Sequence, residues 1–202
     1  MAYSNFSLDK LEQLFGIKNQ IGRLFAVLPP LELSDWLKTT YQNSHDLPTR
    51  TEKAKSETIV FPFLVELRNR NNKYFTIYSG DNLIGDETQG LNGECDFILA
   101  KEVHSFSLNY PIIQVVEAKN HDIDLGIPQC AAQMMGARLF NERKKVTVSQ
   151  IYGCVTTGDE WRFLVLKDKE LTIDDRIYYF IEMGEILAVF QEIIDFYKKE
   201  LA

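Results

Sequence analysis

Three residues have the types and spacing of a cation-dependent hydrolytic site. Asp96 lies in an apolar run at 93–99, and Glu117 and Lys119 end a second apolar run at 112–119. Both runs are predicted strands, and the alternation of side chains along a strand puts Glu117 and Lys119 on the same face. Burying a charged group in a strand is costly unless the group is paired or bound to a cation. These positions therefore indicate a functional site.

If the two strands are neighbours, Asp96 and Glu117 can converge on one hard cation. Mg²⁺ prefers oxygen ligands and usually takes one or two protein carboxylates while keeping several waters. Such an ion lowers the pKa of a bound water and stabilises charge that grows at phosphorus. Lys119 could orient or help deprotonate that water, or neutralise the transition state.

Two other interpretations of these residues remain open. Glu117 and Lys119 could form an exposed ion pair at a strand end, worth about 0 to 1 kcal/mol. Asp96 could instead be a satisfied polar residue that caps a turn.

The elements that must position these residues follow from apolar periodicity. We expect an α/β protein with a mixed central sheet flanked by helices, divided into an N-terminal helical extension (1–50) and a core that includes the C-terminal helix (51–202). The predicted helices are 6–43, interrupted at Pro29-Pro30, then 52–69, 125–140 and 184–199. The predicted strands are 74–78, the two runs above, 151–156, 161–166 and 174–180, with a turn at 79–82 and a polar connection at 101–109.

Asp96, followed about twenty residues later by Glu117-Ala118-Lys119, resembles the PD-(D/E)xK nuclease superfamily, which has the restriction-endonuclease-like fold. The resemblance covers roughly residues 52–166. It implies an acidic helix before the strands, here the helix with Glu57, and a glutamine-bearing helix after them, here the helix with Gln129 and Gln133. Two positions depart from the family pattern: Cys95 stands where a proline precedes the acidic residue, and Gln133 replaces a tyrosine found in the branch that processes DNA ends.

The resemblance implies a magnesium-dependent nuclease that hydrolyses phosphodiester bonds, with Mn²⁺ as a possible substitute. DNA is the expected substrate, although the sequence does not distinguish activity on DNA from activity on RNA. A homodimer is also possible. The alternative is a non-catalytic binding or assembly module built on the same fold. The expected catalytic residues are Asp96, Glu117, Lys119, Gln129 and Glu57, of which Asp96 and Glu117 hold the metal, and the expected substrate-binding residues are Gln133, Lys55 and Arg138.

Composition limits these expectations. The chain has 202 residues, with 22 Lys and Arg against 29 Asp and Glu, so that its formal net charge is −7. That charge disfavours binding to phosphates except through local basic clusters, here 50–55, 68–73 and 138–145. No apolar run approaches the roughly 20 residues of a spanning helix, the N-terminus lacks a secretory pattern, and three dispersed cysteines suit free thiols. We therefore expect a cytoplasmic protein outside the membrane.

Overall fold

A mixed β-sheet forms the centre of the computed structural model, which describes residues 2–101 and 107–202. The strand order is β1-β7-β6-β5-β4-β3-β2, and β8 pairs with β6. The pairs β1–β7 and β4–β5 are parallel, and the other neighbours are antiparallel. The strands are β1 (Lys18–Gly22), β2 (Phe75–Asp86), β3 (Leu91–Lys101), β4 (Ile112–Ala118), β5 (Gln150–Thr156), β6 (Glu160–Lys167), β7 (Glu170–Asp174) and β8 (Tyr178–Tyr179).

Helices flank this sheet, so the predicted α/β class with a mixed sheet between helices is confirmed. They are α1 (Leu8–Phe15), α2 (Asp35–Ser44), α3 (Glu52–Lys55), α4 (Phe61–Arg70), α5 (Ile127–Arg143) and α6 (Met183–Glu200). A π-helical segment, Ser56–Val60, joins α3 to α4. None of the helices in the described ranges is both long and apolar enough to cross a bilayer.

The faces of the sheet are covered by different helices. A side chain at Gly153 would meet Cys130 and Met134 of α5, whereas the ring of the preceding Tyr152 contacts Phe196 and Tyr197 of α6. Neighbouring residues of a strand point to opposite faces, so α5 and α6 lie on opposite sides. All seven residues of β4 are buried, as expected for a central strand covered on both faces.

The N-terminal segment differs from its prediction. Residues 6–43 were expected to be helical, but Gly16 ends α1 in a left-handed conformation with φ of 71°, and Lys18–Gly22 forms an edge strand parallel to β7. The apolar spacing misled the prediction because Ile21 is 68% exposed and does not pack as a helical core residue. Ser34 does cap the next helix, accepting from the Leu37 N–H at 3.2 Å. The boundary at residue 50 stays a prediction.

The turn expected at 79–82 is also wrong. β2 continues through these residues to Asp86, and Gly80 takes a positive φ of 65° within the strand. The reversal comes later, at residues 87–90, where Asp86 Oδ1 accepts from the Thr88 N–H at 2.9 Å. The single strand expected at 174–180 is instead the end of β7 followed by the short β8.

The remaining predicted elements are confirmed within a few residues at each end. They are the strands at 93–99 and 112–119, the helices at 52–69, 125–140 and 184–199, and the hairpin of β5 and β6. Part of the connection expected at 101–109 lies outside the described residues. The three cysteines are buried and free.

A close contact between α5 and β2 fixes the sheet edge nearest the site. Gly136 of α5 packs against the backbone of Gly85, and a Cβ at Gly136 would overlap the Tyr3 hydroxyl. That hydroxyl donates to the carbonyls of Leu83 and Leu91, each at 3.2 Å. Tyr3 is 1% exposed. The N-terminus therefore joins β2, β3 and α5 at one point.

We predict that Gly136→Ala lowers the free energy of unfolding by about 1–3 kcal/mol, because the added methyl group must displace Tyr3 or the helix. Urea denaturation followed by circular dichroism measures this change. The control is Gly22→Ala, whose Cβ would meet Thr172 at 3.6 Å, an ordinary contact. Equal stability of the two variants would contradict the proposed close packing.

Candidate functional site

The candidate site lies where β3 and β4 separate. Their paired register runs through Phe97 and Val116 and ends there. Beyond this pair, Asp96 Oδ2 accepts a hydrogen bond from the Ala118 N–H at 2.7 Å, in place of a backbone partner. β4 meanwhile stays joined to the β5 side, since the Lys119 N–H donates to the Thr156 carbonyl at 2.8 Å. Where the backbones of the two strands separate, the Asp96 side chain spans the gap and contacts the end of β4.

Glu117 is a buried carboxylate with two side-chain donors. Its side chain is 1% exposed, and its Oε1 lies 2.5 Å from Lys119 Nζ. Its Oε2 accepts from Gln133 Nε2 at 2.6 Å. The interpretation of Glu117 and Lys119 as an exposed strand-end pair is therefore wrong, because one partner is fully enclosed.

Helix α5 supplies both glutamines that contact this pair. Lys119 Nζ donates to Gln129 Oε1 at 3.2 Å, and Gln133 lies one helical turn further along. The helix can start here because Pro128 lies in its first turn, where a missing N–H costs nothing. One helix face thus holds Glu117 and Lys119 in fixed positions.

The charges at the site shift one another's protonation. Burial and then the charge of Asp96 raise the pKa of Glu117 to about 7, although Lys119 and Gln133 oppose the shift. Burial also raises the pKa of Asp96, with a further contribution from Glu52. For Lys119, burial acts to lower the pKa, but Glu117 and the other carboxylates raise it overall. The two carboxylates are therefore a repelling, partly desolvated pair beside one ammonium group.

Glu52 is the site residue that the sequence analysis missed. Its charge acts on both Asp96 and Lys119, and it occupies the first turn of α3 after the N-cap Thr51. Glu57, the predicted helix carboxylate, is 66% exposed and lies 3.9 Å from Lys53. Both glutamates line the cleft that reaches Asp96. A capping threonine followed by an acidic residue was the available signal for Glu52.

Comparison with known proteins gives no identification. No protein-family model matches the chain, and no curated protein is significantly similar to it in sequence. The interpretation of the site therefore depends on its geometry and chemistry.

The three predicted substrate-binding residues have internal partners. Gln133 is 0% exposed and contacts Glu117, so it supports the site from behind. Lys55 Nζ lies 2.9 Å from Asp159 Oδ2 and 3.2 Å from the Asn120 carbonyl. Arg138, which lies further along α5, donates to the carbonyls of Leu166 and Asp168. The structure thus brings Asp96, Glu117, Lys119, Gln129 and Gln133 together, but it does not bring Arg138 to them.

The residues present fit a magnesium ion bound largely by water. Within residues 2–101 and 107–202, no three His, Cys, Asp or Glu side chains form a group that could hold a metal by themselves. Mg²⁺ commonly uses only one or two carboxylates, which Asp96 and Glu117 can supply. Asp96 Oδ1 has no hydrogen-bond partner in the described part of the chain. The repulsion between these two carboxylates is what a divalent cation would relieve.

We predict that the metal-free protein loses stability as the pH rises from about 5 to about 8. The raised pKa of Glu117, about 7, means that the folded state binds a proton more tightly than the unfolded state. This contribution is complete below the unfolded pKa and disappears as Glu117 ionises. Urea denaturation in chelator should show the loss in wild type and a flatter profile in Glu117→Gln. Glu87→Gln, in the exposed turn after β2, is the control that keeps the wild-type profile, and an unchanged slope in Glu117→Gln would refute the assignment.

Proposed function

We propose that the protein is a divalent-cation-dependent nuclease of the restriction-endonuclease-like type, with DNA as its substrate. The observation that carries the proposal is the placement of the buried Glu117 and the half-buried Asp96 beside Lys119, at the separated ends of two central strands. Desolvated carboxylates with shifted pKa values are concentrated at functional sites. A structural role gives no reason for placing two repelling carboxylates together.

Each site residue has a role that follows from its contacts. Asp96 and Glu117 would hold Mg²⁺, which when bound lowers the pKa of a water ligand and stabilises charge at phosphorus. Lys119 stays protonated, since its pKa is raised, so it is suited to orient the attacking water and neutralise the developing charge. Gln129 and Gln133 fix the positions of Lys119 and Glu117 through their hydrogen bonds.

Substrate phosphates need basic residues with exposed side chains that can reach them. Arg138 donates to backbone carbonyls, and so does Arg143, which contacts Ile84 and Gly85. Lys53 is 84% exposed and Arg50 is also exposed, close in sequence to Glu52. These two residues are the proposed phosphate contacts. A homodimer and cleavage of RNA are further proposals, which size-exclusion chromatography and an RNA substrate in the cleavage assay would test.

A cytoplasmic location is also part of the proposal. Its support comes from Cys95, Cys130 and Cys154, which are free and buried. Free thiols are typical of reducing compartments.

We predict that Lys119→Ala lowers cleavage by about 100-fold or more, because it removes a fixed positive charge from the reacting centre. The assay follows supercoiled plasmid and single-stranded DNA with Mg²⁺, Mn²⁺ or chelator. Lys167→Ala, an exposed lysine at the end of β6, should cleave like wild type. Magnesium-dependent cleavage retained by Glu117→Ala would refute the assignment. Metal binding without cleavage of any substrate would favour the non-catalytic module.

A second prediction separates the two helix carboxylates. Glu52→Gln should lower the cleavage rate by about 10-fold or more, because Glu52 acts electrostatically on both Asp96 and Lys119. Glu57→Gln should have a smaller effect, since Glu57 is largely exposed and lies near Lys53. Initial rates of the two variants at equal protein and metal concentrations test this order. The reverse order would assign the helix carboxylate to Glu57.

A further inference from the structure

An open cleft of about 620 Å³ adjoins the candidate site. Asp96 and Glu52 line it, so that the cleft and the site share two carboxylates. Its size lies within the range of pockets that bind small organic groups. A second cleft, of about 560 Å³ beside α2, is lined by Tyr41 and Phe180 and by none of the predicted site residues. The first cleft is therefore the one whose occupant would lie next to the reacting centre.

One wall of this cleft is aromatic. The rings of Phe61 and Phe97 have centroids 6.3 Å apart and planes inclined by 23°. Phe97 is 2% exposed and serves as the base of the pair, whereas Phe61 is 40% exposed. An exposed ring supported from behind by a buried ring is a platform for another flat ring. Stacking of a nucleobase on such a platform contributes about 1–3 kcal/mol.

The polar groups of the cleft indicate which part of a nucleotide enters it. The described residues that line it include four carboxylates, those of Glu52, Glu57, Glu94 and Asp96, and a single ammonium group, that of Lys53. This excess of negative charge repels phosphate oxygens. The same carboxylates accept hydrogen bonds from the amino groups of cytosine, adenine and guanine. A base, and not a phosphate, is the complementary group.

We propose that this cleft binds an unpaired nucleobase stacked on Phe61, so that the substrate is single-stranded or locally unpaired nucleic acid. A base inside a duplex is stacked and paired, and must leave the helix to reach such a cleft. The base in the cleft positions the adjacent phosphate next to the cation that Asp96 and Glu117 would hold. This inference rests on the proposed nuclease function, because it assigns the substrate class of the same site.

The test measures binding separately from cleavage. Lys119→Ala protein, which we expect to leave the probe intact, is titrated into fluorescein-labelled probes while anisotropy is followed. The probes are a short DNA strand, the RNA strand of the same sequence, the blunt DNA duplex, and an abasic strand with the same number of phosphates. We expect the normal strands to bind more tightly than the duplex and the abasic strand. The DNA and RNA arms determine which sugar is preferred.

Adding Phe61→Ala to this protein should weaken binding of the normal strands by roughly 5- to 100-fold and leave the abasic strand unaffected. Phe180→Ala is the matched control, because Phe180 is 38% exposed and contacts another ring, that of Tyr41, but lines the other cleft. Tight binding of the abasic strand, or no effect of Phe61→Ala, would overturn the inference.

Cleavage by the wild-type protein distinguishes this inference from the proposed function. Cleavage that is as fast on blunt duplex as on single strands, and is independent of Phe61, overturns the base-binding cleft and leaves the nuclease proposal intact. Binding that depends on Phe61 without any cleavage in Mg²⁺ or Mn²⁺ supports the cleft and refutes the nuclease. Absence of both overturns both.

Discussion

The enclosure of one carboxylate, that of Glu117, sets the conditions for the rest of the site. A charge with 1% exposure is costly unless it is compensated, and two side chains provide what compensation there is. Lys119, directly after β4, supplies an ammonium group and α5 supplies the Gln133 amide, whereas β3 brings up Asp96, which adds repulsion. The cluster is incompletely neutralised within the protein. A bound cation would offset the unfavourable free energy of burying these carboxylates. The stability of this end of the sheet is therefore linked to its proposed chemistry.

Much of the fold followed from sequence periodicity, and the exceptions have physical causes. The long helices α5 and α6 bury wide apolar surfaces, so their extents were predictable. β1 was not predictable, because its pairing with β7 joins residues about 150 positions apart and leaves Ile21 exposed. The turn at 79–82 was predicted from its composition alone. There, pairing with β3 outweighs the local preference of Ser, Gly, Asp and Asn for turns.

The candidate site was predictable in its central part for a different reason. Asp96, Glu117 and Lys119 violate the apolar pattern of their strands, and such violations are expected at functional positions. Gln129 and Gln133 were found through family resemblance, and they do contact the charged pair. Substrate-binding roles were harder to infer, because a basic side chain looks the same in sequence whether it contacts solvent or a carbonyl oxygen. Arg138 contacts a carbonyl oxygen, and only the three-dimensional packing could reveal this.

The π-helical segment Ser56–Val60 has a geometric effect on the cleft. Glu52 and Phe61 are nine residues apart, and in a regular α-helix, which advances about 100° per residue, they would lie on opposite sides. The Phe61 N–H reaches back five residues to the Ser56 carbonyl, so the segment takes up one extra residue. The angular separation then falls to about 80°, and both side chains face the same cleft. Conversion of this segment to a regular α-helix at unchanged length would turn the acidic end of the helix away from its aromatic end, whereas deletion of the one extra residue would keep both on the same side.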